Sequence, residues 1–408
     1  MKPMGPIPAG FAAIDGELAI GGRTVSAITA EAGDTPLFIY DGAMLDARVA
    51  ELRAAMPARL AIHYAMKANP FAPLLARMAG QVDGIDVASG GELSAALAAR
   101  LPAERISFAG PGKRDRELEA AIVAGATLNL ESEGEAGRAL AIGERVGVRP
   151  RLAVRVNPDF DLKGSGMKMG GGAKPFGVDA DRAANLVKAV AAAGADYRGL
   201  HIFAGSQALS AEAVIDAQAS AIDLAGRLSE EAGIAPPLVN LGGGMGIAYF
   251  PGDQPIDARA IGAALGQRLG TLPDTLRGAE FAIELGRWLV GEAGVYVTRV
   301  IDRKISHGET FLVVDGGLHH QLAASGNFGT VVRRNYPVAV ANRFIAPTDE
   351  VVSVVGCLCT PLDRLGDRVL LARAQVGDLI AIFMAGAYGA TASPAAFLGH
   401  APAGEILV

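Results

Sequence analysis

Short apolar runs and longer amphipathic stretches take turns along the middle of the chain. The runs begin at Ile62 (IHYAMKA), Gly84 (GIDVAS), Ile106 (ISFAGP), Thr127 (TLNLES), Arg151 (RLAVRVN), Gly199 (GLHIFAGS), Leu238 (LVNLGGG) and Phe281 (FAIELGR). Between them, GGELSAALAARL (90–101), RDRELEAAIVAG (114–125) and AEAVIDAQASAIDLAGRLSEEAG (211–233) space apolar residues three and four apart. Glycine often closes such a stretch, and the pattern predicts helices. Eight strand–helix units within about 225 residues predict a parallel (β/α)8 barrel. A doubly wound open sheet is the rival pattern, because it alternates too.

The texture changes beyond residue 290. VYVTRVIDRKI, TFLVVDGG, EVVSVVGCLCT and RVLLARAQVGDLIAIFMAGAYG read as strands joined by turns, so residues 291–408 form an all-β domain. Residues 1–36 do not fit a barrel unit and are expected to join that domain, leaving 37–290 for the barrel. The glycine-rich insertion DFDLKGSGMKMGGGAKPFG (159–177) follows the fifth barrel strand. A loop of that length at a strand end is functional or mobile.

Half the residues are hydrophobic and a fifth charged, which allows a sizeable core and argues against disorder. A net charge of −6 gives no basic footprint for nucleic acid. The cysteines, Cys357 and Cys359, are spaced for neither a disulfide framework nor a zinc motif and fit a reducing compartment. No apolar stretch approaches the ~20 residues of a membrane span, and the N-terminus lacks a signal-peptide run. The expectation is a cytoplasmic protein with no membrane or nucleic-acid partner.

A barrel of this kind places its chemistry at the C-terminal ends of its strands. Lys67 ends the first run, Ser206 follows the sixth, Gly242, Gly243 and Gly244 follow the seventh, and Glu284 and Arg287 end the eighth. The apolar surroundings of Lys67 in HYAMKANP predict a desolvated amine with a lowered pKa, suited to Schiff-base chemistry, or else a structural ion pair. The triple glycine lets backbone N–H groups approach an anion. Ser206 is a candidate phosphate ligand or a helix cap. Glu284 and Arg287 are candidate site charges, or partners of each other. Lysine, anion cradle, arginine and carboxylate on one rim are the parts that a pyridoxal-phosphate site requires.

At these residues the chain resembles the fold-type III pyridoxal-phosphate decarboxylases, which include the diaminopimelate and ornithine decarboxylases. YAMKANP resembles the cofactor-lysine motif, which makes Lys67 the Schiff-base residue, and DVASGGEL (86–93) resembles the second-strand segment that brings Asp86 to the cofactor. HIFAGSQ (201–207) resembles the stretch whose serine, here Ser206, binds phosphate, and GGGMG supplies the phosphate-binding glycines. ELGR (284–287) resembles EPGR, which implies Glu284 at the pyridine nitrogen and Arg287 near the phosphate. GCLCTPLD (356–363) resembles the segment that gives Cys359 the catalytic role, and GAYG carries Tyr388 to the phosphate. In this family the cysteine comes from a second subunit, so the resemblance implies a homodimer with shared active sites.

The departures concern the substrate. Phe203 stands where a histidine usually stacks on the ring, with His201 two residues earlier. Thr360 stands where diaminopimelate decarboxylases hold the distal amine with an acid. LHHQLAASG (318–326) offers His319 and His320, with no arginine for a distal carboxylate. GMKMGGGAKPFG (166–177) and HIFAGSQ together resemble a subgroup found with exosortase systems. They imply decarboxylation of a free amino acid or of an aminoacyl group, such as glutamyl, on a carrier protein. The rival readings are a racemase on the same architecture and a non-catalytic regulator.

Overall fold

The computed structural model describes residues 1–326 and 334–408. The chain divides into two compact units, one of Val49–Gly246 with Pro255–Gly286 and one of Met1–Arg48, Ile247–Gln254 and Arg287–Val408.

The first unit is a closed parallel barrel. Its strands are Leu60–Ala65, Gly84–Val87, Ile106–Phe108, Thr127–Leu130, Arg151–Asn157, Asp196–Ile202, Leu238–Asn240 and Glu280–Leu285. Each falls on one of the eight apolar runs. The eighth strand returns to the first, Phe281 opposite Leu60, so the sheet has no edge and the open-sheet alternative is excluded. Side chains punctuate the helices between strands. Ser89, Ser132 and Ser210 accept from the backbone N–H groups of Glu92, Glu135 and Ala213 at helix starts. Gly125, Gly147 and Gly233 close helices in the left-handed conformation.

The sixth strand carries one extra residue. Tyr197 pairs with Leu152 and Gly199 with Ala153, so Arg198 bulges between them. Gly199 has φ +115° and lies so close to the seventh strand that a Cβ would stand 1.9 Å from the Leu238 carbonyl oxygen. The insertion at 159–177 is pinned rather than loose. Met167–Lys168 pairs antiparallel with Gly205–Ser206, and the Gly177 N–H donates to Glu131 Oε2 at 2.7 Å.

The second unit is mostly sheet. Its long strand Gly294–Ser306 pairs with Leu37–Tyr40, Leu379–Ile382 and Glu309–Val314. Thr348–Val355 and Arg364–Ala372 extend the sheet, and Gly404–Leu407 pairs with Leu37–Tyr40. A separate small sheet of Ala12–Ile14, Glu17–Ile20 and Arg23–Thr24 precedes it. Leu37–Tyr40 (LFIY) is fully buried, and its hydrogen bonds go to Gly294–Val297. The barrel therefore does not begin at residue 37. No helix among the described residues is long and apolar enough to cross a membrane.

Candidate active site

Parallel pairing aligns side chains on adjacent barrel strands. Arg155, His201 and Asn240 are register partners in sequence, so one layer of the interior holds all three. Glu284 and His63 are partners in the next layer. The His201 Nε2 atom lies 3.0 Å from Glu284 Oε2, and the Asn240 amide donates to the same oxygen at 3.3 Å. Asn240 Oδ1 accepts from the Gly242 N–H at 2.9 Å, which ties the glycine segment to the carboxylate. Burial opposes ionisation of Glu284, yet the charge and hydrogen bond of His201, with Lys67 and Arg155 behind them, hold it well below the usual carboxylate range.

Asp86, at the end of the second strand, is 3.4 Å from His63 Nδ1. Burial works against a charged His63, but Asp86, with the charges of Glu284 and Asp83 behind it, outweighs burial and raises the imidazole's pKa. Lys67 sits on the turn Met66–Ala68 just past the first strand, and its side chain is exposed while both neighbours are buried. That corrects the expected desolvated amine: the apolar residues of HYAMKA are buried, but the lysine among them is not. Its Nζ lies 5.8 Å from the centre of the Phe203 ring. Ser206 pairs with the insertion as described, and the following helix is capped by Ser210, so Ser206 is not the cap.

The second unit holds Arg287 and Tyr388. Arg287 donates to the Tyr249 hydroxyl at 2.9 Å and its guanidinium carbon is 4.7 Å from the Tyr388 ring centre. Cys357, Cys359 and Thr360 lie past the strand end at Val355, on irregular chain rather than in the strand the sequence suggests. Cys359 is exposed and Cys357 half-buried. His320 is buried with both ring nitrogens engaged, Nδ1 with the Tyr296 hydroxyl at 2.9 Å and Nε2 with the Ala401 carbonyl at 2.8 Å. His319 is wholly buried. Neither histidine therefore presents a ring nitrogen to a substrate as the sequence proposed.

Sequence reasoning missed a buried charge network at the barrel's C-terminal end. Arg155 pairs with Glu131 and Lys113 with Glu135, each at 2.7 Å. Glu131 also accepts the Gly110 N–H at 2.6 Å. The available signal was polar residues inside the apolar runs, Arg155 in RLAVRVN and Glu131 in TLNLES.

These residues fit pyridoxal phosphate. The glycine segment is bare backbone packed tightly: a Cβ on Gly243 would stand 2.0 Å from the Glu284 carbonyl oxygen, and one on Gly242 would meet the Phe203 ring at 2.7 Å. Among the described residues, Asp86 Oδ2 and His201 Nδ1 are buried without a hydrogen-bond partner. An amine, an aromatic face, an ionised carboxylate and a side-chain-free anion cradle all belong to one barrel.

Comparisons with known proteins agree. The family profile described as the pyridoxal-binding domain of pyridoxal-dependent decarboxylases matches residues 43–291. The chain is 36% identical over 380 residues to an L-glutamyl-[BtrI acyl-carrier protein] decarboxylase of Niallia circulans, covering 92% of this chain and 89% of that one. It is 32% identical over 401 residues to a diaminopimelate decarboxylase of Archaeoglobus fulgidus, covering 98% and 93%. A diaminopimelate decarboxylase structure from M. jannaschii in complex with L-lysine superposes with a TM-score of 0.87 at 26% identity, covering 98% and 92%. The barrel, the set of groups at its mouth and these likenesses make the chain a member of the pyridoxal-dependent decarboxylase family, a carboxy-lyase that works with pyridoxal phosphate.

Proposed function

We propose that this enzyme removes the α-carboxylate of a glutamyl group carried as a thioester on an acyl-carrier protein. The observation that carries the reading is the neutral chemistry of the two segments that the resemblance assigns to the substrate. Thr360 offers a hydroxyl where a distal ammonium needs a carboxylate, and residues 318–326 contain no arginine for a distal carboxylate. An unpaired charge in a closed site costs several kcal/mol. Decarboxylation requires a free α-carboxylate, so a carrier-bound glutamyl group is linked through its side-chain carboxyl. That linkage removes the distal charge, as neutral surroundings require. The N. circulans relative, named for such a substrate, supports this reading. The insertion adds exposed Lys163 and half-buried Lys174, cations suited to an acidic carrier.

When bound, the cofactor supplies an aldehyde for an amine and a ring that accepts the electron pair left as CO₂ departs. Lys67 would hold it covalently and, being exposed, is open to a substrate amine. Ionised Glu284 would favour a protonated ring nitrogen. Gly242, Gly243, Gly244 and Ser206 of the barrel unit would hold the phosphate, and Asp86 and His201 would line the cofactor's pocket. Phe203 gives an aromatic face but cannot move a proton, which disfavours a racemase. Cys359 returns a proton to Cα. The two free cysteines fit a cytoplasmic enzyme.

The substrate reading has a direct kinetic test. Carrier-bound glutamate should be turned over with kcat/KM far above free diaminopimelate, lysine or ornithine. Efficient turnover of the free diamino acids, with no gain from the carrier, overturns it.

The proton-return reading implies a homodimer in which Cys359 of one protomer completes the other protomer's site. Cys359→Ala should lower kcat by ~10²-fold or more, with Cys357→Ala much milder. Random mixing of Lys67→Ala and Cys359→Ala subunits makes half the dimers hybrid, each with one intact site, so about a quarter of wild-type activity should return. A larger effect at Cys357, or no recovery on mixing, refutes the arrangement.

A further inference from the structure

We propose that His319, Cys357 and His400 form a binding site for a borderline-soft divalent cation, zinc by preference. All three belong to the sheet unit, and one ligand atom from each lies within 4.8 Å of the others. Cys357 Sγ is 3.9 Å from His400 Nδ1 and 4.0 Å from its Nε2. The rings of His319 and His400 have centroids 5.1 Å apart. Tetrahedral zinc, with bonds of about 2.3 Å to sulfur and 2.0 Å to nitrogen, sets such donors ~3.5 Å apart. Small side-chain rotations close the difference.

His319 supplies independent evidence of a missing partner. It is wholly buried, and neither ring nitrogen has a hydrogen-bond partner among the described residues. An imidazole always presents at least one donor, and buried polar groups are normally satisfied. Its neighbour His320 shows the contrast, since both of its nitrogens are engaged. A cation on His319 would engage the nitrogen that carries the lone pair, with a bond that burial strengthens, and leave only the N–H to be satisfied.

The surrounding chain already holds two of the ligand-bearing loops together. Asp363 accepts the Leu318 N–H at 2.6 Å through Oδ1 and the Leu358 N–H at 2.9 Å through Oδ2. A Cβ on Gly317 or Gly356 would stand 2.4 or 2.2 Å from that carboxylate, so glycine at both positions lets it sit between the loops. One carboxylate thus fixes the backbones on either side of the proposed ion.

Two imidazoles and one thiol select zinc, cobalt or copper over magnesium or calcium, which want oxygen. Binding breaks the Cys357 S–H bond, releases that proton to the buffer and forms a sulfur–metal bond, with no change of oxidation state. Three protein ligands leave a fourth position for water. The ion would clip His400 to the segment from Gly356 to Asp363, which also contains Cys359 and Thr360.

The test uses tag-free holoenzyme dialysed against buffered zinc, with metal counted by mass spectrometry. Wild-type protein should hold one zinc per protomer, and Cys359→Ser should match it. Cys357→Ser and His400→Ala should each weaken binding by ~100-fold, as loss of one of three ligands does. His400 is exposed, so its alanine variant tests the site without disturbing the core. Zinc should also shield Cys357, but not Cys359, from alkylation read by peptide mass spectrometry. No bound zinc in wild type, undiminished binding in both ligand variants, or equal alkylation of Cys357 with and without zinc overturns the proposal.

Discussion

Lys67→Ala should abolish covalent cofactor attachment and lower decarboxylation by at least ~10³-fold, about 4 kcal/mol of barrier. The fold should survive, because Lys67 is exposed on a turn and exposed substitutions usually move stability by less than about 0.5 kcal/mol. Borohydride reduction of the wild-type holoenzyme, followed by peptide mapping, should place the cofactor on Lys67. A label on Lys113 or any other lysine would sink the assignment. Thermal unfolding then separates the two possible causes of inactivity: a large loss of activity with an unchanged melting temperature identifies a chemical role.

Glu284→Gln should lower kcat by ~10²–10³-fold, about 3–4 kcal/mol, while cofactor remains bound. The amide keeps the shape and loses the negative charge that a protonated ring nitrogen needs. The sign of its pH dependence follows from its lowered pKa. Glu284 stabilises the folded protein fully above its unfolded value, and that contribution is lost as pH falls through the lowered folded one. The Gln variant should therefore lose less stability than wild type on strong acidification. His63 runs the other way: with its pKa raised by Asp86, its contribution is present at low pH and is lost as pH rises through the raised value. Unfolding midpoints of the two proteins against pH measure the Glu284 term, and parallel curves would show that the carboxylate is not held ionised.

The barrel was legible because each of its strands is a compact apolar run, and runs of that kind survive in the sequence as blocks. The helices were legible from three- and four-residue spacing with glycine stops, while the serine caps emerged only in the structure. Local reasoning failed where the deciding partner lies far along the chain. LFIY at 37–40 gives no hint that its hydrogen bonds go to residues 294–297. Lys67 was read as buried from its neighbours, but burial belongs to side-chain direction, and the turn at Met66–Ala68 sends this one outward. Arg155 and Glu131 are 24 residues apart and neutralise each other across two strands, so neither looks paired in sequence. A disulfide or metal role for Cys357 and Cys359 was weighed from their two-residue spacing, whereas Cys357 meets the imidazole of His400, 43 residues away.

The extra residue in the sixth strand bears on how such a site tolerates change. Inward and outward positions alternate along a strand, so a single inserted residue sets the parity of everything beyond it. Arg198 can be exchanged for another residue at the expense of one half-buried side chain. Deleting it would turn one half of the strand over. If the upper half turned, His201 would face the helices, Ile202 would enter the barrel, and Glu284 would lose the imidazole that keeps it ionised. The pocket is thus encoded partly as a count of residues, and a length change at this bulge alters more chemistry than any one substitution beside it.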